Sequence, residues 1–288
     1  MIISGRELAE QILTNLSFRV KKLQETYDVT PHMAIVRIGD DPATTSYLNQ
    51  KEKMAKKIGA EISIYTYPAD ATQEKLTEAL KFLQKDAEVH GLILQLPFPK
   101  ESTQLQQEKL LMEIGPEKDV DGFHPQTKFV VPLAAAVIEI LKEIHFRKDP
   151  LEEIPFHMWL ESRNIVVMGK GKTGGQPTIT LLQQLGLKPV VIDSKTKNPE
   201  ALIKTADILI ATVGKKHLIT KIMLKPEVIL VGVGIGKGED GKFFGDYDPE
   251  AIKDTASFYT PIPGGVGPVN VAKLMENLVI ATENSLKN

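Results

Sequence analysis

Short apolar runs alternate with segments of helical period along nearly the whole chain, and this alternation constrains the fold more than any other feature. Residues 33–38, 62–67 and 91–96 read as buried strands. Between them, residues 42–58 and 72–86 read as helices. Strands separated by helices of this length pair in parallel, with right-handed crossovers. A second series of the same kind has strands at 164–168, 189–192, 208–211 and 228–231. Two such series in 288 residues predict a two-domain α/β protein. The expected first domain is 1–131, with a C-terminal helix from 268 to 288 packing back on it, and the expected second domain is 132–267.

The connecting segments follow the same logic. Residues 4–26 carry Leu8, Ile12, Leu16, Val20 and Leu23 on one face, and Ser4 with Glu7 has the spacing of a capping box. Residues 105–114 and 132–146 also read as helices. The stretch 147–162, with two prolines and Trp159, reads as an inter-domain connection or a local insertion.

Composition bears on function more than on fold. A net charge of −2 gives no electrostatic reason to expect nucleic acid or an anionic membrane as partner. The chain has no cysteine, which excludes disulfides and thiolate metal sites, and no metal site is expected. No apolar run reaches the roughly 18 residues that suggest a membrane span, and the N-terminus lacks a secretion signal. A cytoplasmic location is the expectation.

The second series opens on Met168-Gly169-Lys170-Gly171-Lys172-Thr173-Gly174-Gly175-Gln176-Pro177, between a strand and a helix. In that context glycines let backbone N–H groups meet a phosphate at a helix N-terminus. Gly169, Gly171 and Gly174 match the G-x-G-x-x-G pattern of dinucleotide sites. Asp193 ends the next strand, where an acid would bind the adenosine ribose and favour NAD. Lys170, Ser194 and Lys195 could instead receive a 2′-phosphate and favour NADP. Asp193 also suits a solvated turn.

In the first series, Tyr47 and Lys51 are four residues apart and share a helical face. Such a pair is commonly an exposed ring beside a solvated amine. Gln95 is a single polar residue near the C-terminal end of a buried strand, the edge of a parallel sheet where ligands sit. Residues 116–125 offer Asp119, Asp121 and His124 on one loop, where His124 suits packing as well as chemistry.

Taken together, these segments resemble the methylenetetrahydrofolate dehydrogenase/methenyltetrahydrofolate cyclohydrolase family. The matching pieces are Asp41-Pro42-Ala43 with Tyr47 and Lys51, residues 91–99, residues 118–125, residues 206–215, Gly245-Asp246-Tyr247-Asp248, and residues 260–268. They keep the family's order across almost the whole chain. The resemblance implies oxidation of methylenetetrahydrofolate with NADP (NAD being possible) and hydrolysis of the methenyl product. It implies Lys51 as the proton-transfer residue with Gln95 as its partner, Tyr47 against the folate and Asp121 on the pterin edge. Pro263, Gly264 and Gly265 would border the substrate. The cofactor would meet Gly169, Lys170, Gly171, Gly174, Asp193, Ser194, Thr212 and Gly234. The expected ligands are tetrahydrofolate derivatives, and the expected assembly is a homodimer.

Departures from the family pattern cluster on the cofactor side. Gly169-Lys170-Gly171 stands where Gly-Arg-Ser is usual, and lysine lacks arginine's fork. Residues 132–137 lack the usual Pro-Cys-Thr-Pro, residues 126–129 lack Asn-x-Gly, and residues 232–236 replace Asp-Val-Gly-Ile-Asn. Two alternatives follow: a cyclohydrolase that has lost dehydrogenase activity, or a non-enzymatic paralogue that binds folate or nucleotide. A shikimate-type dehydrogenase is a further possibility, opposed by the Pro-x-Pro-Gly-Gly-Val-Gly-Pro run at 261–268.

Overall fold

The computed structural model describes residues 1–151, 153–238 and 241–287. It divides into two units, Glu10–Pro132 with Val271–Asn288, and Met1–Ala9 with Leu133–Asn270.

The first unit is built on a three-stranded parallel sheet of β1 (His32–Ile38), β2 (Glu61–Tyr67) and β3 (Gly91–Leu94), in the order β2-β1-β3. Most of α1 (Gly5–Tyr27) belongs to this unit, and its helix begins where the Ser4 hydroxyl accepts the Glu7 N–H at 3.3 Å. Two crossover helices, α2 (Pro42–Ile58) and α3 (Gln73–Lys85), join the strands. α2 has both end signals: Asp41 accepts the Thr44 N–H at 2.8 Å, Pro42 opens the helix, and Gly59 closes it at φ 82°. The strand expected at 91–96 ends at Leu94, although the Gln95 N–H still donates to the Val36 carbonyl, and Pro97 and Pro99 prevent the ladder from running further. The helix expected at 105–114 shortens to α4 (Gln107–Leu111), with Gly115-Pro116 ending its periodic pattern.

The second unit begins with the body of α5 (Pro132–Lys148), followed by the short α6 (Phe156–Glu161). Five parallel strands follow: β4 (Ile165–Met168), β5 (Val190–Ile192), β6 (Ile208–Ala211), β7 (Val228–Gly232) and β10 (Ala256–Tyr259). Their order is β10-β7-β6-β4-β5. Between them lie α7 (Gly175–Gln184), α8 (Pro199–Ile203), α9 (Pro249–Ile252) and a hairpin of β8 (Ile235–Lys237) with β9 (Phe243–Gly245). β4, β6 and β7 are buried at every position, as expected for strands covered on both faces.

Met1–Ala9 groups with this second unit rather than with the first. The cause is local pairing. Ile3 N–H donates to the Tyr259 carbonyl at 2.9 Å and Tyr259 N–H donates to Met1 at 3.0 Å, extending the sheet past β10. The stretch 147–162 is no loose linker. His145 at the end of α5 bonds the Ile154 carbonyl at 2.8 Å and packs against the rings of Phe156 and Trp159. Residue 152 lies outside the described residues.

The last helix, α10 (Val266–Ser285), does pack back on the first unit. Asn277 donates to the carbonyls of Val120 and Val130 at 2.8 and 2.9 Å, and Arg19 forms a two-armed pair with Glu283. Among the described residues, no helix is long and apolar enough to cross a membrane.

Candidate functional site

The C-terminal edge of the three-stranded sheet gathers the charged groups singled out in the first half. Lys51, on α2, is 2% exposed, and its amine donates to Gln95 Oε1 at 2.9 Å. Gln95 sits immediately after β3, held by its N–H to Val36 at 2.8 Å. Its amide nitrogen donates to the Leu96 carbonyl at 2.7 Å, which orients the amide so that its oxygen faces the amine. One helical turn before Lys51, the Tyr47 ring stands with its centroid 5.0 Å from Nζ, a cation–π contact. Tyr47 is itself half-buried.

Asp121 stands on the loop after Lys118-Asp119-Val120 and is close enough for its charge to act on Lys51. Burial pushes the Lys51 amine below its ordinary value of 10.5, and Asp121 pulls it back up in part. The same burial raises the Asp121 carboxyl, while Lys51 lowers it and Asp119 raises it. A buried amine with lowered proton affinity gives up its proton more readily than an exposed lysine does.

Asp119 was visible in the sequence only as one of two acids, and the structure gives it a distinct task. It is 2% exposed and accepts the N–H of His124 at 2.7 Å and of Gly122 at 3.2 Å. Gly122 has φ 78°, and a side chain there would press on the Val131 backbone. This carboxylate thus holds the loop that carries Asp121. His124 closes the same loop, its Nδ1 accepting the Gln126 N–H at 3.1 Å.

In the other unit, the glycine-rich segment is a turn between β4 and α7, the strand-turn-helix context that the motif requires. Its glycines divide by role. Gly169 has φ 106°, and a side chain there would collide with the Thr212 hydroxyl. A methyl group at Gly171 would meet no atom within 4 Å among the described residues, and Gly171 is exposed. The backbone is therefore open to a phosphate at that point.

Gly174, the third glycine of the pattern, and Gly175 beside it have different surroundings. At Gly174 a Cβ would make ordinary contact with Leu133 at 3.4 Å. At Gly175 it would collide with the Gly169 carbonyl, so close packing of helix on strand requires Gly175. A run of two glycines hid this, since either fits a loose pattern.

Asp193 follows β5 and bonds within its own turn. It is exposed, and its Oδ1 accepts the Lys195 N–H at 2.9 Å and the Thr196 hydroxyl at 3.1 Å. The Lys195 bond, then Thr196, holds the carboxyl below its ordinary value, with Lys170 and Lys195 adding charge. Its carboxylate closes its own turn, and Ser194, Lys195 and Lys170 are exposed around it.

Thr212 follows β6, its hydroxyl donating to the Met168 carbonyl at 3.0 Å. Gly234 follows β7, and a Cβ there would collide with Asp246 and the Gly214 amide. The segment Pro263-Gly264-Gly265 forms the turn into α10; Gly265 is buried against the backbone of Gly5, and Gly264 has φ 105° beside Arg6. Among the described residues, no group of three or more His, Cys, Asp or Glu could hold a metal ion.

The profile of the tetrahydrofolate dehydrogenase/cyclohydrolase catalytic domain matches residues 3–121, and that of the family's NAD(P)-binding domain matches residues 151–286. The chain belongs to this family. A bifunctional protein FolD from Nautilia profundicola is 34% identical over 295 residues, covering 99% of this chain and 98% of its own. A FolD from Staphylococcus aureus is 35% identical over 289 residues, covering 97% and 96%. Among solved structures, the FolD methylenetetrahydrofolate dehydrogenase/cyclohydrolase of Campylobacter jejuni superposes with a TM-score of 0.90 at 30% identity, covering 99% of each chain. The FolD of Trypanosoma brucei, solved with NADP and an inhibitor, superposes at 0.88 with 26% identity, covering 100% of this chain and 99% of that one. The tetrahydrofolate dehydrogenase/cyclohydrolase architecture thus spans the whole chain.

Proposed function

We infer that this chain is a bifunctional enzyme that oxidises 5,10-methylenetetrahydrofolate with NADP and hydrolyses the resulting methenyl compound to 10-formyltetrahydrofolate. The observation that carries the hydrolytic half is the buried Lys51 amine bonded to Gln95 beside the Tyr47 ring. As the neutral amine, Lys51 Nζ would take a proton from the water that attacks the methenyl carbon. As the ammonium, it would return that proton to the ring nitrogen released when the carbon–nitrogen bond breaks, while the hydroxyl proton of the adduct leaves to solvent as the formyl C=O forms. Gln95 would hold Nζ in line, and the Tyr47 face would carry the flat pterin system. Asp121 would accept the aminopyrimidinone edge. Pro263, Gly264 and Gly265 are proposed to border the substrate.

NADP supplies the hydride acceptor for the first reaction, so the protein has to bind and orient two rings. Gly171 would let the backbone approach the pyrophosphate, Gly169 and Gly175 would keep strand and helix close, and Gly174, Thr212 and Gly234 would shape the remaining edge. Asp193 Oδ1 is held by the Lys195 amide and the Thr196 hydroxyl, and the exposed Ser194, Lys195 and Lys170 would take the 2′-phosphate, which favours NADP over NAD. The turn keeps its strand-turn-helix form despite Lys170 and Gly171, and no observation favours a non-enzymatic reading.

We also propose a homodimer through the nucleotide unit, supported by the exposed Ile235 and Phe243 on the β8–β9 hairpin, and a cytoplasmic role supplying formyl groups to purine biosynthesis. Light scattering of the purified protein tests the first. The functional test is a paired assay: methylenetetrahydrofolate oxidation with NADP and with NAD, alongside methenyltetrahydrofolate hydrolysis. Both reactions are expected, with NADP preferred. Lys51→Ala should lose the hydrolytic acceleration while retaining NADP binding; hydrolysis at the wild-type rate would sink the Lys51 assignment.

A further inference from the structure

Asp246 is fully buried in the nucleotide unit, with 0% exposure. Its Oδ2 accepts the N–H of Val213 at 3.0 Å and its Oδ1 accepts the N–H of Lys215 at 2.8 Å; the Gly214 amide adds a third bond. Gly214 has φ 75°, which turns these successive amides to one side as an anion-binding nest. The anion in this nest is the protein's own carboxylate. Both oxygens receive N–H donors, the arrangement of an ionised carboxylate. Burial raises its proton affinity above the ordinary carboxylate value, and the three amides lower it back only in part.

The place of this charge in the sheet gives it a further meaning. The order β10-β7-β6-β4-β5 puts the adenosine side of a dinucleotide over β4 and β5, where the glycine turn and Asp193 stand. The nicotinamide half would then lie on the other side of β4, over the loops after β6 and β7. Those are the loops that Asp246 binds: residues 213–215 follow β6, and Gly234, after β7, packs so tightly on Asp246 that a side chain would collide with it. The loop reaches the glycine turn through Thr212, whose hydroxyl donates to Met168 and touches the spaces at Gly169 and Gly175.

We propose that Asp246 is a positioning residue whose buried charge also sets the preference of this unit for oxidised over reduced cofactor. This rests on the reading that the unit binds NADP. The oxidised nicotinamide ring is a cation and loses that charge on accepting hydride. A fixed anion in a low-dielectric setting close to the ring stabilises the cation selectively. A purely structural carboxylate would affect both forms alike.

The test is binding of NADP and of NADPH to the full-length protein by calorimetry and by NADPH fluorescence, with far-ultraviolet circular dichroism as the fold check. In Asp246→Asn, the Kd for NADP should rise at least tenfold more than the Kd for NADPH. Gly169→Ala strikes the Thr212 hydroxyl and leaves Asp246 untouched, so it should weaken both forms by the same factor. Equal weakening of both forms in Asp246→Asn, or no change, overturns the proposal. If Asp246→Asn does not fold, Asp246→Ser is the second neutral variant: the Kd for NADP should again rise at least tenfold more than the Kd for NADPH, and equal weakening of both forms overturns the proposal. Failure of the wild-type protein to bind either form would overturn the nucleotide reading itself.

Discussion

The two units carry function in opposite ways. Around Lys51 the working groups are side chains: the buried amine is bonded to the Gln95 amide, the Tyr47 ring stands against the amine, and the Asp121 charge acts on it. At the glycine turn they are backbone amides and exposed side chains, and the glycines contribute by what they lack. Proton transfer needs a group whose proton affinity is tuned, and tuning needs burial. Hydride transfer to a bound cofactor needs two rings held in place, which backbone can do. This explains how the cofactor side can depart from the family pattern while the Lys51 side keeps it.

The sharpest way to break this comparison is to damage one unit and read both activities. Gly175→Val would drive a side chain into the Gly169 carbonyl, and NADP binding should weaken by about two orders of magnitude. Hydrolysis should stay within about twofold to threefold, since its proton transfer does not use the turn. Equal loss of both activities, measured on protein that still folds, would show that the functions are not separable.

Gln95→Leu is expected to act next most strongly, slowing hydrolysis roughly tenfold to a hundredfold by removing a bond to the reacting amine. NADP affinity should not change. An unaffected hydrolytic rate would remove Gln95 from the site. Asp121→Asn sharpens the electrostatic side. Asp121 raises the proton affinity of Lys51, so its removal should move the Lys51-dependent limb of the hydrolysis pH profile to lower pH. A shift to higher pH would contradict the stated sign.

The smallest expected effect lies at the opposite end of the first unit's sheet. His90 is buried, and its Nδ1 accepts the His32 N–H at 3.2 Å. Burial holds its proton affinity below the ordinary value of 6.5, although Glu88 opposes the shift. The unfolded chain then binds the extra proton first, so stability should fall as the pH drops below 6.5. His90→Gln should flatten that slope in urea unfolding measured from pH 7 to 5, with both activities intact at neutral pH.

Much of this was legible in the sequence because its signals are local. β1, β4, β6 and β7 announce themselves as apolar runs, and α2 carries its own cap residues at both ends. What was missed depends on distant pairing. β10, Ala256–Tyr259, is too short for alternation to register, and the N-terminal pairing with it spans the chain. Asp246 appears in the sequence only within the matching Gly245–Asp248 segment, with no role assigned, and its partners lie 31 and 33 positions earlier. Asp119 reads as a companion to Asp121, and only its bonds to Gly122 and His124 show it as the loop's anchor. Gly175 was hidden by Gly174 beside it. Lys51 itself carried little weight as a Tyr–Lys pair; Gln95, more than forty positions away in the chain, gives it meaning.

The central claim is that burial tunes Lys51 for proton transfer, and the most direct test is its own titration. Carbon-13 labelling of lysine Cε, with Lys51→Arg to assign the signal, reads that midpoint by NMR. The account predicts a midpoint below 10.5 that falls further in Asp121→Asn. A midpoint at or above 10.5, with hydrolysis still dependent on Lys51, would contradict it.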